Sequence, residues 1–338
     1  MSHRLLAAAR AADEGSAARI LELVGPKLEA TEEIFRTRLA SDVPFIARSG
    51  EYIFRGGGKR MRPALLLLSA RMLGRDSDEE VTYAAVVEMI HTATLVHDDI
   101  IDRAELRRGR RTLHSVWGAN LTVLLGDWLY TTAMKMALAH DNITVIDKLC
   151  DATLAMTEGE LLALDRLGAL DLGREEYLEI LDRKTARLFA ASASLPALMR
   201  PARPETFEAL EGYGRALGLC FQLVDDLLDY TAKAEDLGKP VLADLREGKL
   251  TLPLLLAIPR IDAADRQKIA WVLEDRAFER AQPEEILAIV EAQGTLEETS
   301  ALAEGYAAEA KAALAGFPES EARVALELAP DYVLHRRA

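Results

Sequence analysis

The amino-acid sequence predicts an all-α protein, and three observations carry that prediction. Ala, Leu, Glu and Arg, all good helix formers, dominate the 338 residues. Apolar residues recur at three- and four-residue spacing along most of the chain, the period of an amphipathic helix. No stretch alternates apolar and polar residues between turn signals, as a half-buried strand would. With 50% apolar and 28% charged residues, and no excess of Gly or Pro, the chain can bury a large core and does not read as disordered.

Each element follows from local signals. Residues 1–20 are rich in Ala and Arg, lack an apolar run of signal-peptide length, and read as a loosely ordered extension. "RGGGKRMRP" (55–63) breaks the pattern, and its Pro63 suits the first turn of the helix that contains "ALLLLSARML". "GRDSDEE" (74–80) stops that helix and starts another. Ser77 or Asp78 is its cap, and Glu79 and Glu80 favour its positive end. This helix runs into "LVHDDIID" (95–102). The stretch 102–120 reads as a long loop. Helices are then expected over 121–140, 142–167 and 174–199, with a joint at 167–173 and a stop at "PARP" (201–204). The next helix ends at Tyr230, and 231–249 reads as a second long loop. Shorter helices fill the remainder, broken near 259–264, 281–283, 294 and 317–318. No linker or repeat divides the chain, so 1–338 is expected to form one all-helical domain.

Composition narrows the function. A formal net charge of −14 argues against general nucleic-acid binding and against docking on anionic lipid. No run approaches the length of a membrane span. Cys150 and Cys220 have no CxxC neighbour and fall in apolar helical patterns, which reads as two reduced core thiols in a cytoplasmic protein.

The chemistry concentrates in two stretches. "LVHDDIID" puts Asp98, Asp99 and Asp102 among Leu, Val and Ile, and "QLVDDLLDY" (222–230) repeats the DDxxD spacing with Asp225, Asp226 and Asp229. On a helix Asp98 and Asp102 lie one turn apart on one face, with Asp99 about 100° round. One such cluster suits a solvated acidic face. Two in apolar settings do not, because facing carboxylates repel unless cations lie between them. Oxygen-only ligands favour a hard divalent ion, and Mg²⁺ typically takes one or two carboxylates together with phosphate oxygens. The pattern therefore implies a polyphosphate held through Mg²⁺.

Basic residues gather beside these clusters. They are Lys59, Arg60 and Arg62 after the glycines; Arg107, Arg108, Arg110 and Arg111 after the first cluster; Lys184, Thr185 and Arg187 in "DRKTAR"; and Lys239, Arg246 and Lys249 after the second cluster. Singly each reads as a loop charge; together they suggest a second anion site made of Lys and Arg alone. His91 and His97 share a helix with the first cluster, and a lone helical histidine is more often a core residue than a ligand.

The stretches "GGGKRMRP", "EMIHTATLVHDDIID", "LRRGRRT", "GDWLY", "KTARLF", "FQLVDDLLDY", "LGKPVLADLREGKLTLPLL" and "YVLHRR" resemble the trans-isoprenyl diphosphate synthases, specifically the long-chain polyprenyl (octaprenyl to decaprenyl) diphosphate synthases. The resemblance spans roughly residues 50 to 338. It implies a single bundle of long helices around a deep central cavity (the isoprenoid synthase fold), usually as a homodimer. It implies that Asp98, Asp99, Asp102, Asp225, Asp226 and Asp229 bind Mg²⁺, three ions per site with substrate present. Lys59, Arg62, His91 and Arg108 would hold isopentenyl diphosphate; Arg107, Lys184, Thr185, Gln222 and Lys239 would contact the allylic diphosphate. On this resemblance His91 becomes a ligand. Asp98, Asp102, Arg107, Lys184, Asp225 and Lys239 would serve catalysis. Ala93 and Thr94 lie about 6–8 Å along the helix axis from Asp98, where short-chain relatives carry bulky aromatics. Small residues there predict a product of about eight to ten isoprene units, a quinone side-chain precursor, with possible peripheral membrane contact for its release. A short-chain synthase is the nearer alternative. A terpene cyclase, which usually pairs one DDxxD with a different second motif, or a non-catalytic partner subunit is the more distant one.

Overall fold

Breakers and caps divide the chain close to where the sequence places them. The computed structural model describes residues 22–58, 60–107, 109–232 and 241–336. The expected N-terminal extension, Lys59, Arg108 and Lys239 lie outside them. The chain opens with helix α1 (22–39), followed by α2 (Pro44–Arg55), α3 (Met61–Met72) and α4 (Asp78–Ile101). Ser77 starts α4 through a capping box: its backbone N–H donates to Glu80 Oε2 at 2.7 Å, and its side chain accepts from the Glu80 backbone N–H.

The stretch read as the first long loop is not irregular throughout. Strands β1 (Leu106–Arg107) and β2 (Arg110–Arg111) pair antiparallel, Leu106 opposite Arg111, and the short α5 (Leu113–Trp117) follows. Two-residue strands are too brief to show any alternation, which is why the sequence hid them.

Next come α6 (Ala119–Leu138), α7 (Ile143–Asp165) and α8 (Arg174–Leu181). A π-helical turn (Asp182–Ala186) joins α8 to α9 (Arg187–Met199), and α10 (Pro204–Thr231) follows. The rest is α11 (Ala243–Arg246), α12 (Leu252–Ala257), a 3₁₀ turn (Ile258–Arg260), α13 (Ala263–Asp275), α14 (Pro283–Ala292), α15 (Thr295–Ala313) and α16 (Glu321–His335).

Helix α10 packs along α9 and α15, α4 along α6 and α3, and α16 closes over α3, α10 and α15. The hydrophobic core runs from Val24 in α1 to Val333 in α16. Cys220 is buried in it as expected, whereas Cys150 is exposed on α7, so only one of the two cysteines is a core thiol.

This packing brings the two aspartate motifs to the C-terminal ends of α4 and α10. That placement is electrostatically unfavourable. A helix carries about half a negative charge at its C-terminus, and neither helix has a basic residue in its last turn. Local sequence does nothing to neutralise the motifs, so the charge balance must come from elsewhere in the fold or from a ligand.

Close approach of α10 to α9 depends on missing side chains. A Cβ on Gly218 would lie 2.6 Å from Ala186 Cα, while one on Gly212 would meet nothing within 4 Å. Gly218→Ala should therefore destabilise the protein by about 1–3 kcal/mol through overpacking. Gly212→Ala should stabilise it by about 0.5–1 kcal/mol through helix propensity. Denaturant unfolding of both variants checks the contrast, and shifts of the same sign would contradict the packing.

Candidate active site

Each carboxylate of the two motifs meets a different environment. Asp99 is buried and accepts from Arg107 Nε at 2.6 Å, which ties the end of α4 to the β-hairpin. Asp102 accepts from Lys249 Nζ at 2.8 Å. Burial pushes Asp98 up to about 6; Lys184 draws it back down, and Glu160 and Asp102 add to the rise.

In the second motif the three carboxylates divide their work. Asp229 anchors the chain that follows: its carbonyl accepts from Leu242 N at 2.9 Å, Oδ1 from Ala243 N at 3.1 Å and Oδ2 from Asp244 N at 3.1 Å. Those bonds hold Leu242 at φ 57°, a left-handed conformation that costs a leucine about 1–2 kcal/mol. Asp226 is buried, with Tyr177 donating to Oδ2 and Gln222 Nε2 donating to Oδ1 at 3.1 Å. Burial, reinforced by Asp244, pushes Asp226 up to about 8 against the two hydrogen bonds that favour its charge. Asp225 is exposed, and its Oδ1 accepts from Arg336 Nη2 at 3.1 Å.

Two chains of contact connect the motifs. One passes through Lys249, whose ammonium bonds Asp102 and whose backbone N–H donates to Asp244 O at 2.8 Å, next to the segment Asp229 holds. Gly248, at φ 86°, makes the turn that delivers Lys249. Burial works against the charge of Lys249, but Asp102 and Glu247 outweigh it and hold its pKa above the ordinary lysine value. The other chain passes through the π-helical turn. Lys184, paired with Glu160 of α7, faces Asp98 electrostatically, and the neighbouring Thr185 donates to Gln222 Oε1 at 3.0 Å. Turns of this kind recur at functional sites because the extra residue re-aims side chains.

A cavity of about 170 Å³ lies beside α4, walled by Gly56, Gly57 and Gly58, by Arg62, His91, Asp99 and Arg107, and by Phe189 and Phe221. It brings together Arg62, His91 and Arg107, while Lys184 lies near Asp98 and Thr185 bonds Gln222, which bonds Asp226. Arg107 is expected from the sequence beside Lys184, Thr185 and Gln222, whereas its side chain lines the cavity with Arg62 and His91 because it pairs with Asp99. Arg110 and Arg111 also line the cavity, Arg110 stacked 4.6 Å over the Tyr52 ring.

Other basic residues of the sequence pool are taken by the scaffold. Arg60 pairs with Glu32 at 2.8 Å and with buried Glu88; Arg187 pairs with buried Asp182 at 2.9 Å, alongside Arg215 at 2.5 Å. Removing Arg60 would leave Glu88 buried without this cation, a loss of about 3–5 kcal/mol for such pairs. Ala93 is buried, and Thr94 is half-buried with its hydroxyl bonded to His91 O at 2.9 Å. Sequence reasoning gave no role to Glu160, Tyr177 or Arg336. Only Arg336 left a trace, within "YVLHRR".

The donor set fits a divalent cation. It offers carboxylate oxygen, and burial raises Asp98 to about 6 and Asp226 to about 8, a cost that an incoming cation would offset. Among the described residues no three acidic, His or Cys side chains cluster tightly enough to hold an ion by themselves.

Comparison with known proteins gives the same direction. Residues 43–290 match the family described as Polyprenyl synthetase. The octaprenyl diphosphate synthase of Escherichia coli strain K12 is 40% identical over 308 residues, 91% of this chain and 95% of its own length. A short chain isoprenyl diphosphate synthase of Methanothermobacter thermautotrophicus is 34% identical over 322 residues, 94% of this chain and 98% of its own. The crystal structure of a polyprenyl synthase from Caulobacter crescentus CB15, complexed with calcium and isoprenyl diphosphate, superimposes with a TM-score of 0.91 at 39% identity, covering 95% of this chain and 98% of that one.

The raised carboxyl groups set a pH dependence. Asp226 moves from an ordinary 3.8 to about 8 on folding, so between those values the native state holds a proton that the unfolded state has lost. Its contribution is complete below about 4 and is lost as pH rises through 8. In EDTA, Asp226→Asn should therefore gain melting temperature relative to the parent as pH rises from 6 to 9. A difference independent of pH would contradict the assignment.

Proposed function

The chain belongs to the polyprenyl synthetase family and is a polyprenyl diphosphate synthase, and on that premise we propose that it condenses isopentenyl diphosphate head to tail onto an allylic diphosphate to build an all-trans product of about C40–C50. The single observation that supports this reading is the presence of two groups of basic and polar side chains, Lys184, Thr185 and Gln222 beside the aspartates and Arg62 with His91 in the cavity wall, with Arg107 on Asp99 between them.

Asp98, Asp102 and exposed Asp225 would hold Mg²⁺, three ions with substrate present. Asp99, Asp226 and Asp229 would fix the backbone around them through Arg107, Tyr177 and residues 242–244. When bound, Mg²⁺ supplies Lewis-acid neutralisation of the diphosphate leaving group. Lys184, Thr185, Gln222 and Arg107, with Lys239, receive the allylic diphosphate and stabilise the charge that develops as its C–O bond breaks. Arg62 and His91, with Lys59 and Arg108, hold isopentenyl diphosphate so that its double bond meets the allylic carbon. A new C–C bond forms, and the proton released from the isopentenyl unit leaves with pyrophosphate. Thr92, Leu95, Val96, Phe189 and Phe221 give the cavity apolar walls that limit access of water to the carbocation.

The long-chain reading rests on the small side chains of Ala93 and Thr94 and on the octaprenyl relative; the short-chain relative keeps the alternative open. Exposed Leu121, Leu124, Leu154 and Leu161 on α6 and α7 support a homodimer. No helix among the described residues is long and apolar enough to cross a membrane. A cytoplasmic location and a peripheral membrane contact for product release complete the proposal.

Labelled isopentenyl diphosphate, several allylic primers and Mg²⁺ test it, with chromatographic sizing of the dephosphorylated products. Chains of about C40–C50 that vanish with EDTA are expected. Ala93→Phe or Thr94→Tyr should shorten them, and an unchanged length would reject these residues as the level that passes the growing tail.

A further inference from the structure

Two aromatic rings in the wall of the cavity each carry an arginine. Arg62 Cζ lies 4.4 Å from the centroid of the Phe189 ring. Phe189 and Phe221 stack at 5.3 Å with an interplanar angle of 38°. Arg336 Cζ lies 3.9 Å from the Phe221 centroid. The four groups come from α3, α9, α10 and the end of α16, and they form one continuous ladder: cation, ring, ring, cation.

The terminal cation is firmly fixed. The Arg336 side chain is 4% exposed. Its Nη2 donates to Phe221 O at 2.8 Å and to Asp225 Oδ1 at 3.1 Å, gripping the residue whose ring it covers. At the other end Arg62 is held more loosely. Its Nε, like that of Arg336, is buried and has no hydrogen-bond partner among the described residues. Burial pulls its pKa down to about 10, with Glu88 opposing, so it keeps its charge at neutral pH. The face of Phe189 is therefore a principal restraint on the Arg62 guanidinium. Arg62, Phe189 and Phe221 line the cavity, whereas Arg336 is not among the lining residues, so it stands behind the wall.

We propose that Arg336 is a positioning residue for Arg62: by clamping Phe221, and through it Phe189, it holds the Arg62 guanidinium in the orientation that receives the diphosphate of isopentenyl diphosphate. The inference rests on the proposed function in one respect, the identity of the diphosphate. The ladder itself predicts a metal-independent anion site tuned from the C-terminus. Because Arg336 also bonds Asp225, a second route toward the allylic, metal-dependent side exists, and the two routes differ in what they change.

The test uses the full chain. Arg336→Met keeps an unbranched apolar side chain and removes the guanidinium; Arg336→Lys keeps the charge; Phe189→Leu interrupts the ladder without touching Asp225. Steady-state kinetics should show KM for isopentenyl diphosphate rising about tenfold in Arg336→Met. The kcat and the KM for the allylic primer should stay within about twofold. Arg336→Lys should recover part of the loss. Phe189→Leu should reproduce it, and adding Arg336→Met to Phe189→Leu should change little more, because both cut one chain of contacts. An unchanged KM for isopentenyl diphosphate, or a shift confined to the allylic KM and the Mg²⁺ requirement, overturns the proposal. Calorimetric titration with inorganic pyrophosphate in EDTA separates this result from failure of the functional reading. There Arg336→Met should weaken binding about tenfold even if no prenyl transfer is found, and equal affinity overturns the proposal. Should Arg336→Met fail to fold by circular dichroism, Arg336→Gln, which keeps a hydrogen-bonding side chain and removes the cation, carries the same comparison.

Discussion

Two helices end in carboxylates where physics prefers cations, and most of the active-site architecture is a response to that. The C-terminal ends of α4 and α10 already carry partial negative charge, and each motif adds three aspartates to it. Protein donors answer part of the excess: Arg107 for Asp99, Lys249 for Asp102, Arg336 for Asp225, and backbone N–H groups for Asp229. What they leave is visible in Asp98 and Asp226, which burial holds well above the usual carboxylate range. A site assembled this way favours incoming positive charge, and a metal–diphosphate complex brings that charge together with oxygen ligands.

The same response shapes the backbone. The strained Leu242 persists because Asp229 over-determines it, and Gly248 makes the turn that presents Lys249. The π-helical turn at Asp182–Ala186 is pinned by Arg187 and Arg215 on buried Asp182, which frees Lys184 and Thr185 to face the aspartates. Scaffold arginines and site cations thus alternate along short stretches, and their roles follow from which acid lies within reach.

That alternation explains what was legible in the sequence. The helices, the Ser77 cap and both aspartate motifs were readable because their signals are local: period, capping residues and spacing. The grouping of Arg62 with His91 was readable only through family resemblance, since composition alone favoured a core histidine. Partners far along the chain were not readable. Lys249 and Asp102 are 147 residues apart, Arg336 and Asp225 are 111, and Tyr177 and Asp226 are 49. The π-helical turn breaks the 3.6-residue projection used to assign faces, and nothing local distinguished Arg187, a scaffold residue, from Lys184. Strands of two residues and the exposure of Cys150 escaped for the related reason that too few residues carried a pattern.

The central claim is that the two motifs act as one cation-dependent receptor for a single diphosphate. A crystal grown with Mn²⁺ and inorganic pyrophosphate, read by anomalous scattering, tests it most directly. The account predicts Mn²⁺ liganded by Asp98 and Asp102 and by Asp225 around one shared pyrophosphate, with the Lys249 ammonium moved off Asp102. Ions absent from one motif, or a pyrophosphate lying away from both, would contradict it.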